Sequence, residues 1–231
     1  MFEISPTEWT AILLSLRVAI IATLVATPFG IALAWLLVRR NFWGKSLVDA
    51  AVHLPLVLPP VVTGYLLLLT FGRRGLVGAW LADHLGIVFA FRWTGAALAC
   101  GIMSFPLLVR PIRLSIEAVD LRLEQAAATL GAAPWRVFLT VTLPLALPGV
   151  LAGMVLGFAK AIGEFGATIT FVSNIPGETQ TISSAIYSLI QTPDGDAAAL
   201  RLVAVSIVIA MGAMVASEWF ARRATKRLHG N

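Results

Sequence analysis

The chain has 231 residues, of which 58% are hydrophobic and 13% are charged. Soluble domains carry about a quarter charged residues, so this composition excludes an ordinary soluble protein and indicates one built for the lipid bilayer. The net charge of +5 does not indicate a nucleic-acid-binding protein, because the basic residues stand in short clusters between apolar runs, as they do beside membrane spans. At about 20 apolar residues per crossing, the length predicts five or six spans in a single membrane domain covering residues 1–231.

Five apolar segments are long enough to be membrane spans. In chain order they cover residues 9–38, 50–72, 93–113, 146–172 and 200–221. We expect the first segment to be retained in the protein. The residues before it include Glu3 and Glu8 but none of the Lys or Arg residues that begin a signal peptide.

Proline and glycine recur within these spans and predict a packed bundle. Proline kinks a helix, and lipid tolerates this only where neighbouring helices satisfy the freed backbone groups. Glycines spaced every four residues allow two helix backbones to approach closely. The prolines are Pro28, Pro55, Pro59, Pro60, Pro106, Pro111 and Pro148, and the glycines are Gly149, Gly153 and Gly157.

The basic residues predict the orientation of the chain. Five spans place the two termini on opposite sides, and Lys and Arg are enriched in cytoplasmic segments. With the N-terminus outside, the cytoplasmic segments contain Arg39, Arg40, Lys45, Arg110, Arg113, Arg122, Arg136, Arg222, Arg223, Lys226 and Arg227. The external segments contain only Arg73, Arg74 and Arg92. We therefore expect a periplasmic N-terminus and a cytoplasmic C-terminus.

The ionisable residues inside the spans do not resemble an enzyme site. His53, Lys160 and Glu164 are accompanied by no paired carboxylates, metal-binding H-E-x-x-H cluster or nucleophile elbow. Cys100 is the only cysteine and lies in an apolar run, so neither an intrachain disulfide nor a cysteine-based metal site is expected. The chain also lacks the Gly-rich loop with Lys and Ser/Thr that binds ATP. These absences predict a non-catalytic protein without a metal or cofactor, which does not itself hydrolyse ATP.

A helix, a turn and a second helix are predicted between the third and fourth spans. Residues 120–130 are rich in helix formers, Gly131 can stop this helix, and Pro134 can begin the next. The second helix is expected to run to Pro144, and its apolar face is formed by Val137, Phe138 and Val141. The residues alone fit two interpretations: a hairpin that lies on lipid headgroups, or a knob that inserts into a groove of a partner.

Residues 125–144 resemble the EAA loop of bacterial ABC importer permeases. The loop's pattern is Glu-Ala-Ala, three residues, Gly, nine residues, a branched apolar residue, any residue, and Leu-Pro. The residues in register with it are Ala126, Ala127, Gly131, Val141, Leu143 and Pro144. One position departs, because Gln125 holds the Glu slot and the acid is its neighbour Glu124. A neutral amide can donate and accept hydrogen bonds but forms no ion pair with a basic residue of an ATPase.

The resemblance implies a role for the EAA loop, here residues 115–145. In the family, this loop forms coupling helices that seat in a cleft of the ATP-binding subunit and transmit its ATP-driven closure to the membrane helices. The register also argues against the alternative of a secondary transporter or channel that works without ATP.

Lys160 and Glu164 are one helical turn apart in the fourth span and can pair. Each charge alone near mid-membrane would cost about 2.5 to 3.5 kcal/mol, so both must face protein or water. They are candidates for a pathway or gate, and the alternative is an ion pair that locks two helices together. If they pair, Glu164 neutralises Lys160, so no anion-binding site is inferred.

The whole chain resembles the molybdate ABC transporter permease family. The stretches that carry this resemblance are residues 53–64, 103–107, the EAA loop, 163–180 and 191–193. Sulfate and tungstate permeases share parts of the pattern. The resemblance implies an all-α integral membrane protein of about five transmembrane helices with a coupling-helix hairpin. It also implies a homodimer in the bacterial inner membrane, two copies of an ATP-binding subunit, and a periplasmic binding protein that delivers the oxyanion.

Overall fold

The computed structural model describes residues 4–229, and within them every regular element is a helix. A π-helical turn, Phe138–Thr142, joins two of the α-helices. The α-helices are α1 (Pro6–Arg39), α2 (Lys45–Val57), α3 (Pro60–Phe71), α4 (Leu76–Leu85), α5 (Trp93–Glu117), α6 (Leu121–Thr129), α7 (Pro134–Val137), α8 (Leu143–Ile162), α9 (Gly166–Val172), α10 (Ile182–Leu189) and α11 (Asp196–His229).

Four helical stretches within the described residues are long and apolar enough to cross a bilayer, or five if α2 and α3 together form one bent span. The four are α1, α5, the continuous stretch Pro134–Ile162, and residues Asp196–Ala216 of α11. The all-α membrane fold with about five spans, expected from the sequence, is therefore confirmed.

The second predicted span is not a straight helix. Helices α2 and α3 meet at a bend of 115°. The cause is the pair Pro59 and Pro60, because a residue before proline is driven out of the helical conformation. Leu58 and Pro59 accordingly have extended ψ angles of 143° and 134°.

The fourth predicted span, residues 146–172, differs from the sequence expectation at its beginning and in its interior. Pro144 does not end the preceding helix, since the chain passes through the π-helical turn, whose Leu143 N–H donates to the Phe138 carbonyl, and continues as α8. Proline lacks a backbone N–H, but in the first turn of a helix this N–H has no acceptor within the helix, so its loss costs little there. Helix α8 then stops at Ile162, and residues 163–165 separate it from the short α9.

Helix α5 lies at the centre of the bundle and packs against α1 on one side and α8 on the other. The glycines of α8 make the second contact close, as the sequence predicted. A Cβ added to Gly149 would overlap Ser115, and one added to Gly153 would overlap the Leu108 carbonyl. Leu108 and Ile112 of α5 are fully buried in this contact. This close contact holds α8 in position. Helix α8 carries Lys160, and Glu164 follows directly after its end.

An ion pair joins the beginnings of α1 and α11. Ser5 caps α1 by accepting a hydrogen bond from the Glu8 N–H, and the Glu8 carboxylate accepts one from the Ser5 backbone N–H. Arg201 of α11 donates to Glu8 Oε1 at 2.9 and 3.1 Å. Glu8 is buried, so the first and last long helices are held together here by a paired, desolvated carboxylate.

Candidate functional site

The predicted helical hairpin is present, with its first helix and its turn where the sequence indicated, but its second α-helix ends at Val137 and does not run to Pro144. Asp120 caps α6 by accepting a hydrogen bond from the Arg122 N–H at 2.9 Å. Gly131 ends the helix region with a φ of +86°, a conformation that L-residues other than glycine rarely adopt. Pro134 occupies the first turn of α7. We call α6, α7 and the turn between them, residues 121–137, the hairpin.

The hairpin presents an apolar tip to its surroundings. Leu130, just before the turn, is 89% exposed, and Trp135, just after it, is 61% exposed. Gln125 and Ala126 are also exposed, while Ala127 is partly buried. Helix α6 has no buried residue at all. An exposed apolar surface of this kind marks a site of contact with a partner protein or with a membrane.

Glu124 does not share that surface, although it is adjacent to Gln125. Its Oε1 accepts hydrogen bonds from Arg39 Nη2 at 2.8 Å, from Arg39 Nε at 3.2 Å, and from the Thr142 hydroxyl at 2.8 Å. The carboxylate therefore faces the bundle, and the amide beside it faces outward. The carboxylate next to the EAA register therefore forms its hydrogen bonds within the chain.

Val141, Leu143 and Pro144 lie where the hairpin joins the bundle. Val141 belongs to the π-helical turn, and Leu143 and Pro144 begin α8. All three are partly buried. They connect the hairpin to a membrane helix and do not extend its exposed face.

The break after α8 contains a buried, paired carboxylate. Glu164 is 2% exposed, and its Oε2 accepts from Lys160 Nζ at 2.7 Å. Its other oxygen accepts from the Ala167 N–H at 3.0 Å and so satisfies a free donor in the first turn of α9. The pair expected from the sequence is formed, with Glu164 in the break and not on the helix.

Helix α9 packs closely on α3, so the break in one span faces the bend of another. A Cβ on Gly64 would lie 2.5 Å from the Ala167 carbonyl oxygen, and a Cβ on Gly166 would lie 2.7 Å from the Pro60 Cβ. Non-helical backbone inside a membrane protein is tolerated where it is buried or lines a water-filled cavity. This region is the structural candidate for a pathway or gate.

A second feature, an apolar groove of about 730 Å³, lies between α1, α2 and α5. Apart from Trp93 and Thr94, every side chain that lines it is apolar. A binding site for an oxyanion needs several convergent hydrogen-bond donors or cations. The lining of this groove therefore offers few groups that could hold an oxyanion.

Two residues that contribute to the site were missed by sequence reasoning. Arg39 was interpreted only as a basic residue at the end of a span, and Thr142 only as a spacer in the EAA pattern. Both bind Glu124. No local signal could have found the first contact, because Arg39 and Glu124 are 85 positions apart.

The bent span, the broken span and the helical hairpin at one end of the bundle characterise a multi-spanning membrane protein. The family model described as "Binding-protein-dependent transport system inner membrane component" matches residues 26–226. Because this match covers most of the sequence, the chain belongs to that family.

Named relatives are similar over nearly the whole chain. The molybdenum transport system permease protein ModB of Escherichia coli K12 is 62% identical over 220 residues, which are 95% of this chain and 96% of the relative. The protein of the same name from Haemophilus influenzae is 57% identical over 96% of both chains. A solved bacterial ABC transporter that imports alginate shares the fold, with a TM-score of 0.74 and 20% identity over 95% of this chain and 80% of that one.

These matches settle the class of protein. The chain is a multi-pass permease subunit of an ABC importer in the inner membrane. It is a transport subunit and not an enzyme, and the ATPase activity belongs to a separate subunit.

Proposed function

We propose that this chain translocates molybdate across the inner membrane as the permease of an ATP-driven importer. The similarity to molybdenum permeases over nearly the entire length supports this substrate. The observation that carries the ATP-driven mechanism is the hairpin, which lies within the EAA pattern and also presents an exposed apolar tip. Tungstate or sulfate is the alternative substrate, and an ATP-independent secondary transporter is a much weaker alternative.

The proposed assembly is a homodimer of this chain with two copies of an ATP-binding subunit and a periplasmic binding protein that delivers the oxyanion. Residues 1–231 act in it as a single transmembrane domain. A homodimer supplies two hairpins, one for each ATPase, and Leu130 and Trp135 are the apolar anchors that insert into the ATPase cleft.

The proposed coupling residues fall into two groups. Gln125, Ala126, Ala127 and Gly131 form and shape the hairpin that docks. Glu124, Val141, Leu143 and Pro144 join it to the bundle. Docking contacts at Gln125 are neutral hydrogen bonds, because an amide carries no charge.

Lys160 and Glu164 are proposed to act as a gate element. Their ion pair holds the end of α8 against the beginning of α9, beside the bend between α2 and α3. A change in the distance between α8 and α9 would therefore alter the backbone at the break. The competing role, a static lock between helices, predicts that transport depends on this pair only through stability.

The proposed orientation places the N-terminus in the periplasm and the hairpin in the cytoplasm. Cys100 is buried, so single cysteines introduced elsewhere can be labelled with little background. Glu178→Cys should react with a membrane-impermeant thiol reagent added to the periplasmic side, and Arg122→Cys should react only from the cytoplasmic side. The reverse pattern would overturn the orientation.

The substrate is tested by uptake of labelled molybdate into vesicles that contain this chain, its ATPase and its binding protein. Unlabelled tungstate and sulfate serve as competitors. Competition by tungstate alone supports the molybdate assignment, because tungstate is the closest mimic of molybdate in charge and shape. Preferential competition by sulfate would keep the class of importer and overturn the substrate.

A further inference from the structure

The end of α1 is connected to the hairpin by one arginine. Arg39 Nη2 donates to Glu124 of α6 at 2.8 Å. It also donates to the backbone carbonyls of Ile116 at 3.1 Å and Val119 at 3.3 Å, at the end of α5 and just beyond it. A single guanidinium therefore joins α1, α5 and α6.

A fourth element reaches the same carboxylate. The hydroxyl of Thr142, which is buried in the π-helical turn before α8, donates to Glu124 Oε1 at 2.8 Å. A π-helical turn inside a longer helix is often found at a functional position. Glu124 is consequently the point at which the hairpin touches both α1 and the beginning of α8.

This cluster differs from the other ion pairs at the same end of the bundle. The Arg39 and Glu124 side chains are only 13% and 16% exposed. Arg113 and its partner Asp49 are 30% and 39% exposed. Hydrogen bonds between charged groups are stronger than neutral ones, and shielding from water preserves their strength, whereas exposed pairs contribute little.

The hairpin has few other ways to hold its position. Helix α6 has no buried residue, so apolar packing does little to fix it against the bundle. Val137 at the end of α7 is buried, and Phe138 just beyond it contacts Trp35 of α1 with ring centroids 5.8 Å apart, but both contacts lie outside α6. The orientation of α6 therefore depends on Glu124.

We propose that Arg39 and Glu124 form an intramolecular latch that transmits displacement of the hairpin to α1 and α8. The proposal rests on the proposed function, since it requires that a partner push on the hairpin. Two neighbouring residues then have different roles: Gln125 faces the partner, and Glu124 holds the hairpin to the membrane helices. Both latch residues are positioning residues, since neither needs to contact the transported ion.

The latch itself is tested without transport, by hydrogen exchange of the α6 backbone amides in the purified full chain in lipid nanodiscs. The variants are Glu124→Gln, Arg39→Gln and the double variant, with Asp49→Asn as the matched control because it breaks an exposed ion pair. We expect each latch variant to exchange about tenfold faster in α6, as loss of a charge-assisted hydrogen bond predicts. The double variant should be little faster than either single variant, because both remove the same contact.

Unchanged exchange in Glu124→Gln, or fully additive effects in the double variant, would overturn the latch. Since Arg39→Gln also removes a basic residue beside a span, Glu124→Gln provides the decisive comparison if the arginine variant inserts poorly.

The role in coupling is tested by the ratio of oxyanion transported to ATP hydrolysed in reconstituted vesicles. Glu124→Gln should lower this ratio severalfold while ATP hydrolysis continues, and Asp49→Asn should leave it at the wild-type value. Faster exchange with an unchanged ratio would overturn the coupling role. Failure of the proposed function gives a different result from failure of the latch. If the chain is not an ATP-driven importer, wild-type vesicles will show no ATP-driven uptake, whatever the hydrogen exchange of the latch variants.

Discussion

Replacement of Gly131 tests whether the turn of the hairpin must keep its shape for transport. Gly131 has a φ of +86°. Its N–H donates to the Ala128 carbonyl at 3.0 Å, and the next N–H, of Ala132, donates to the Ala127 carbonyl at 3.2 Å. A Cβ at this site would meet no atom within 4 Å. Substitutions therefore act on the backbone alone and leave packing unchanged.

The expected magnitudes follow from that geometry. Alanine at a left-handed position costs about 1–2 kcal/mol, which lowers the population of the turn by about 5- to 30-fold. Proline is more severe, because its ring holds φ near −65° and removes the N–H that now binds Ala128. Gly131→Pro should therefore abolish the native turn, and Gly131→Ala should weaken it.

The assay compares ATP-driven uptake, ATP hydrolysis and the amount of protein in the membrane. The matched control is Gly44→Ala, because Gly44 has a φ of +89° and no atom within 4 Å of its Cβ position, yet it lies between α1 and α2. Gly131→Pro should insert normally and lose coupled uptake, Gly131→Ala should retain a reduced rate, and Gly44→Ala should be close to the wild type. Normal uptake by Gly131→Pro, or a loss of uptake in Gly44→Ala equal to that in Gly131→Ala, would show that transport does not depend on the shape of the hairpin turn.

Three further predictions concern the broken span, the contact between α3 and α9, and the tip of the hairpin. Lys160→Met should destabilise the chain by about 3–5 kcal/mol in thermal unfolding, because it leaves the buried Glu164 charge unpaired; Glu164→Gln should be milder, and the reverse order would contradict the account. Gly64→Ala should destabilise by about 1–3 kcal/mol through overpacking, while Gly212→Ala, with no atom near its Cβ position, should not lower the unfolding temperature; equal effects would show that the contact is not tight. Leu130→Asp should weaken co-purification of the ATPase at least tenfold while leaving the fold unchanged, since the side chain is 89% exposed; retention of the ATPase would exclude Leu130 as an anchor.

The positions of the spans and of the hairpin could be predicted because they depend on local patterns. Long apolar runs locate membrane helices, and the helix formers before Gly131 with Pro134 after it specify a helix, a turn and a helix. The glycine spacing in α8 also correctly predicted a close helix contact. Each of these signals lies within a few residues of the element that it predicts.

The breaks within the spans were only partly predictable. The prolines at 59 and 60 predicted a distortion, but nothing in the local sequence predicts the 115° angle between α2 and α3. Pro144 gave a misleading signal, because proline is compatible both with the end of a helix and with the first turn of the next. The π-helical turn before it has no sequence signature that distinguishes these outcomes.

The contacts of Glu124 could not be predicted, because they are long-range. The sequence places an acid beside the EAA register, in a loop to which the resemblance assigns a coupling role. Only the folded chain shows that α1 brings Arg39 within 2.8 Å of that carboxylate. Nothing in the local pattern says which face of a nine-residue helix will turn toward the bundle.

The central claim is that this chain imports an oxyanion only when a partner ATPase acts on the hairpin. The most direct test is uptake of labelled molybdate into vesicles that contain the chain, the ATPase and the binding protein, with ATP or ADP supplied to the ATPase. We expect uptake with ATP, none with ADP, and none with ATP when the chain carries Gly131→Pro. Uptake that proceeds equally with ADP would contradict the mechanism.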